Sequence, residues 1–128
     1  MKKKNCKGQA LVETALVLPI ILLILLGIID FGLMFNNYLM VSNASREGAR
    51  TAAVGATDSE ITTLVSDVAA TLDTSHITVT ITPSQAFRKK GDEVVVTVDY
   101  DYNMITPIIS SIVPGPFHLS SRSVMRVE

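Results

Sequence analysis

Residues 8–32, "GQALVETALVLPIILLILLGIIDFG", decide how the rest of the chain is organised. No residue from Thr14 to Ile29 carries a charge, and Ala10 to Val12 before them and Phe31 to Phe35 after them prolong the apolar run. A helix rises 1.5 Å per residue, so about 20 such residues cross the hydrocarbon core of a bilayer. The run predicts one membrane-spanning helix over residues 9–35. Pro19 lies inside it, removes one backbone donor and predicts a kink, which a membrane helix absorbs by local adjustment.

The flanks orient the span. Lys2, Lys3, Lys4 and Lys7 precede it and Asp30 comes near its far end. Basic residues stay on the cytoplasmic side, so the N-terminus is expected inside and the remaining chain outside the cytoplasmic membrane. A cleaved secretory signal would need a shorter apolar core and a small-x-small site, and "GIIDFGLMFNN" offers none. The only cysteine, Cys6, sits in the basic tail, which excludes an intramolecular disulfide and a cysteine metal cluster.

Glu13 stands out against this background. A carboxylate deep in the apolar core costs about 2.5–3.5 kcal/mol on insertion scales, which marks it as functional by default. Its nearness to the basic tail allows the blander reading of an interfacial residue close to a helix N-terminus, where negative charge is favoured. The spacing tips the balance. Gly8, then Gln9, then a glutamate fifth from Gln9, then an apolar helix, all behind lysines, resembles the processing site of type IV prepilins.

The resemblance implies that a prepilin peptidase cuts between Gly8 and Gln9, so that residues 1–8 are a leader and Gln9 is the new N-terminus. It makes Glu13 the assembly carboxylate, able to neutralise an ammonium on an adjacent subunit where either charge alone is costly. The residue after Glu13 is Thr14, where the family commonly has an aromatic. The likeness then narrows. The Leu18-Pro19 pair, "GIIDFG", and Ala44, Arg46, Gly48, Ala49 and Arg50 in "SNASREGARTAAV" resemble the TadE-like minor pilins and pseudopilins of the tight-adherence (Tad, Flp) pilus. That family implies a part in building or anchoring a pilus. The implied partners are the prepilin peptidase, other pilin or pseudopilin subunits, the assembly platform and membrane lipid, and the implied role is not enzymatic.

Residues 36–128 read as one outer domain. "NNYLMVSNASREGARTAAVGA" has no proline, so the first helix is expected to run to about Val54 and stop at Gly55. Ser45, Gly48, Ala49, Ala52 and Ala53 recur at three- and four-residue steps and predict close packing on the domain's own sheet, or alternatively on another pilin. Arg46 and Arg50 fall on one face, solvated or paired with local acids.

"TDSEITTLVSDVAATLD" predicts an amphipathic helix that buries Ile61, Leu64, Val65, Val68, Ala69 and Leu72, with Thr57 and Glu60 forming a capping box. The period then changes to two. "HITVTIT" sets Ile77, Val79 and Ile81 on one face; "EVVVTVDYDY" sets Val94, Val96, Val98, Tyr100 and Tyr102 on one face; "PFHLSSRSVMRVE" is a third, less regular strand. The fold class is therefore α+β: a long transmembrane helix extending into an outer domain where a second amphipathic helix packs on a small antiparallel sheet of about three strands.

"TPIISSIVPGP" between the last two strands predicts a short helix opened by Thr106 and Pro107. Its apolarity points to the core, or alternatively to a partner or the membrane surface. Arg88-Lys89-Lys90 beside Gly91 reads as a charged loop tip.

Composition narrows the function. The formal charge is −1, and loss of four of the 11 basic residues with the leader leaves seven against 12 acidic ones, about −5. No basic face for nucleic acid is expected. His76 and His118 are far apart, with no cluster at metal-ligand spacing, so no metal or cofactor is expected. No phosphate loop or nucleophile elbow occurs. Two readings stand: a processed pilin-like subunit, or an unprocessed single-pass protein whose outer domain scaffolds secretion machinery or binds a partner. A membrane-anchored hydrolase would need a pocket of perturbed titratable groups.

Overall fold

The computed structural model describes residues 7–128. The leader positions Lys2, Lys3, Lys4 and Cys6 lie outside the described residues. Helix α1 runs unbroken from Lys7 to Ala53, through Pro19, and ends where Gly55 adopts φ +93°, a left-handed conformation that costs glycine little. The apolar run and the alanine-rich segment beyond it are thus one 47-residue helix.

Helix α2 covers Asp58–Val68. Its capping box forms as the sequence predicts: Glu60 N–H donates to Thr57 Oγ1 at 3.2 Å and Thr57 N–H to Glu60 Oε2 at 2.8 Å. The helix stops at Val68, short of the expected Leu72, because Ala69–Thr71 turn and Asp73 opens a 3₁₀ turn at Thr74–His76. Ala69 and Leu72 are buried even so, whereas Val68, at the helix end, is exposed and Leu64 is half-buried.

Strands β1 (Ile77–Thr82), β2 (Glu93–Tyr102) and β3 (Phe117–Arg126) form an antiparallel sheet in the order β1-β2-β3. Val98 pairs with Val79 on one side and Ser121 on the other, and this register puts Val94, Val96, Val98, Tyr100 and Tyr102 on the covered face. The opposite face carries Thr78, Thr80, Asp99, Asp101, Arg122 and their neighbours, as an antiparallel sheet with one solvated side should. Between β2 and β3 lies α3 (Pro107–Ile112).

The upper half of α1 and all of α2 cover the inner sheet face, which is the expected α+β plan. Val41, Ala44, Ser45, Gly48, Ala49, Ala52 and Ala53 form the buried stripe of α1, so the small-residue pattern packs on this domain's own sheet and on α2. Gly48 is the tightest point: a Cβ there would lie 3.1 Å from Val65 Cγ2 and 3.2 Å from Val96 Cγ1. Ile61, Val65, Val94, Val96 and Val98 are fully buried, each such side chain worth about 1.5–3 kcal/mol.

The irregularity of β3 has a cause in this packing. Its inward positions Ser121 and Ser123 face Ser45, whose Oγ lies 3.0 and 2.9 Å from their hydroxyls. Three serines thus satisfy one another where alternation would place apolar residues.

Two further expectations need correction. Arg88 is not a loop-tip charge: its side chain is 4 % exposed and ion-paired with Asp58. Its Nε donates to Pro83 O at 3.1 Å and its Nη1 to Ala56 O at 2.8 Å, so the guanidinium ties the β1–β2 connection to the start of α2. Lys89 and Lys90 are the exposed part of that run. Nor does α3 enter the core, because none of its residues is buried and Ile108 and Ile112 are 53 % and 63 % exposed.

Candidate functional site

The first three turns of α1 carry the residues that the sequence singles out. Gly8, Gln9 and Glu13 are helical and exposed, and a Cβ at Gly8 would meet no atom within 4 Å. Among the described residues, no hydrogen bond or ion pair reaches the Glu13 carboxylate. Thr14 Oγ1 donates instead to Ala10 O at 2.9 Å, which satisfies its hydroxyl inside the helix. Glu13, Thr14, Val17, Leu18 and Ile21 line an open groove on this face. The carboxylate therefore lies at the head of an apolar surface with no partner from its own folded domain.

That surface is extensive. Leu11, Leu16, Ile20, Ile24 and Ile28 are each more than half exposed, and the same holds for most of α1 up to Ile29. The helix is long and apolar enough to cross a membrane, and its apolar part is almost wholly uncovered by the domain. The protein thus has the form of a single-pass anchor carrying a folded head.

The head meets the span at a second constellation, which the sequence did not announce. Leu23, Leu26, Gly27, Asp30 and Met34 repeat at three- and four-residue steps and are the covered positions of the lower helix. The covering element is the β2–α3 segment. Ile109 Cδ1 lies 3.8 Å from the position a Gly27 Cβ would occupy, and Thr106 N–H donates to Asp30 Oδ2 at 3.3 Å. Asp30 is 1 % exposed. Tyr102 is buried beside it, and its hydroxyl has no partner among the described residues. Burial first, then the Asp30 charge, then Tyr100 push the Tyr102 phenol above its ordinary value.

Neither histidine joins a site. His118 pairs across the strands with Asp101, and His76 Nε2 lies 3.7 Å from Asp73 Oδ2. No group of three metal-ligating side chains occurs among the described residues. Arg46 and Arg50 are exposed, with Arg50 4.0 Å from Glu47.

The signal that would have found the lower junction is the small residue Gly27 one turn before Asp30, a pair on one helix face. In the sequence Asp30 reads as a flanking charge and as part of "GIIDFG", neither of which points to a contact with the β2–α3 connection.

The model of the TadE-like protein family matches residues 8–50. It begins at the glycine before Gln9 and ends at Arg50, within one turn of the end of α1, so it covers the anchor helix and leaves the sheet outside. No curated protein and no solved structure gave a match.

Proposed function

We propose that this protein, TadE-like over residues 8–50 and so associated with the Tad pilus, is a minor pilin or pseudopilin cut between Gly8 and Gln9 by a prepilin peptidase. The cut leaves α1 from Gln9 as the anchor and assembly helix. Its N-terminus faces the cytoplasm and the domain from residue 36 onward stands outside the cytoplasmic membrane, free to enter an extracellular pilus.

One observation carries the reading: Glu13 is exposed at the head of an uncovered apolar helix face, as the fifth residue counted from the proposed new terminus Gln9. In an apolar setting an ammonium on one subunit and the Glu13 carboxylate on its neighbour neutralise one another, which lowers the cost of both. The charge pair then fixes the axial register of adjacent helices, while the exposed leucines and isoleucines supply lateral contact. The partners are other pilin or pseudopilin subunits, the assembly platform and lipid. The role is structural, with no catalytic step.

Glu13→Ala tests it. The variant is expected to insert in the membrane as the parent does, because an apolar residue replaces a carboxylate, and to enter pili or pilin complexes poorly. Normal incorporation of Glu13→Ala would overturn the assembly role.

A further inference from the structure

We propose that Ile105–Val113 is a membrane-interfacial foot: its exposed apolar side chains enter the leaflet on the domain's side and fix how the head stands on the bilayer. The inference rests on α1 spanning the membrane and adds a second contact made by the folded domain.

Depth is the first argument. If Ala10–Ile29 supplies the 20 or so residues that span the hydrocarbon core, Gly27 lies roughly 3–5 Å below its edge and Leu23 roughly 9–10 Å. Ile109 packs at Gly27, so α3 is held at that depth by a contact with the span itself. At this level the surroundings of α1 are lipid, and Ile108 and Ile112 of α3 are exposed beside it. Interfacial helices bury their apolar faces about 5–10 Å into the headgroup and acyl boundary, which is the same range.

The chemistry of the segment is the second. No residue from Asn103 to Phe117 carries a charge. Ile105, Ile108, Ile112 and Val113 are 69 %, 53 %, 63 % and 42 % exposed, an arrangement that water penalises and a leaflet rewards. Both serine hydroxyls and part of the backbone are provided for. Ser110 Oγ donates to Pro107 O at 2.9 Å, and Ser111 Oγ reaches Ile108 O at 2.8 Å. Ser110 N–H meets Thr106 O at 3.0 Å and Val113 N–H meets Ile109 O at 2.8 Å. Internal bonds of this kind lower the cost of the segment at the leaflet boundary, where the α3 N–H groups left without a cap still reach headgroups and water.

The contact restrains the head. A domain on one helix is free to tilt and rotate against the bilayer. A foot tied to Asp30 through Thr106 N–H removes much of that freedom and presents the same side to every neighbour.

The test uses the full chain with Cys6→Ser, single cysteines at Ile108 and Ile112 carrying an environment-sensitive fluorophore, and phosphatidylcholine–phosphatidylglycerol vesicles brominated near the headgroup end of the acyl chains. Ile24→Cys reports the span and Lys90→Cys reports the water-facing head. All four positions are exposed, so labelling leaves the core intact. Labels at Ile108 and Ile112 are expected to be quenched severalfold more than the label at Lys90. Quenching at Ile24 without quenching at Ile108 or Ile112 would overturn the foot and leave the span standing. A label at Ile108 unquenched by bromine but shielded from aqueous iodide would put a protein there, and would overturn it equally. Absence of quenching at Ile24 would remove the span and the foot together.

Discussion

The backbone N–H of Thr106 donates to Oδ2 of Asp30 at 3.3 Å, joining the entrance of α3 to the membrane helix across 76 positions of sequence. The carboxylate is buried and the donor sits where the sheet's longest connection turns back along α1. This bond, with the Ile109–Gly27 contact, ties the head to its anchor below the main core.

Asp30→Ala leaves Thr106 N–H without its acceptor, and a partly buried unsatisfied donor costs about 1–3 kcal/mol. Asp30→Asn keeps an acceptor of the same shape and should lose less. Thermal unfolding of the detergent-solubilised protein checks the order. Equal losses for the two variants would mean that the acceptor is not what matters.

Gly48→Ala sets a Cβ 3.1–3.2 Å from Val65 and Val96. Overpacking typically costs about 1–3 kcal/mol, and the better helix propensity of alanine returns up to about 1. A net loss of about 1 kcal/mol is expected, with Gly48→Val far worse. In Gly48→Ala combined with Val65→Ala the new methyl partly fills the space that valine leaves, so the double variant should lose less than the sum of the two. Denaturant midpoints of the three variants check this.

The pH dependence has a defined sign. The Glu60 carboxyl is held below its ordinary value of 4.5, first by Thr57 N–H and then by the Thr57 hydroxyl. Asp73 is held below 3.8, first by the Ser75 hydroxyl and then by Ser75 N–H. A group whose folded pKa is depressed contributes stability above its unfolded pKa and loses it as pH falls through the folded pKa. Unfolding should therefore become easier below about pH 4.5, and Glu60→Gln should flatten the upper part of that decline. Melting curves of both proteins from pH 6 to pH 3, a range chosen around these reference values, check the difference.

Local features of the fold were legible because they repeat or punctuate. The α1 terminus at Gly55, the Thr57–Glu60 box, the alternation of β2 and the small-residue stripe each write a period or a cap into neighbouring residues. Features made by distant segments left no such trace. Arg88 reads as one of three charges in a loop until Asp58, Ala56 and Pro83 close around it. Ser121 and Ser123 blur β3 because their reason is Ser45, on another element. The apolar α3 suggested a core segment, since sequence hydrophobicity does not distinguish a core from a membrane-facing surface. At the N-terminus the balance is reversed: Gly8, Gln9 and Glu13 stand out through their spacing and the prepilin resemblance it carries, and among the described residues no side chain bonds to the Glu13 carboxylate.

The most direct test of the account is the intact mass of the protein from its native membranes, with N-terminal sequencing. The account predicts a chain beginning at Gln9 or its cyclised form, and retention of residues 1–8 in Gly8→Leu, where a large side chain fills the cleavage position. A parent chain that still carries Lys2 to Gly8 would contradict prepilin-type processing and identify an unprocessed single-pass anchor, in which Glu13 is merely interfacial.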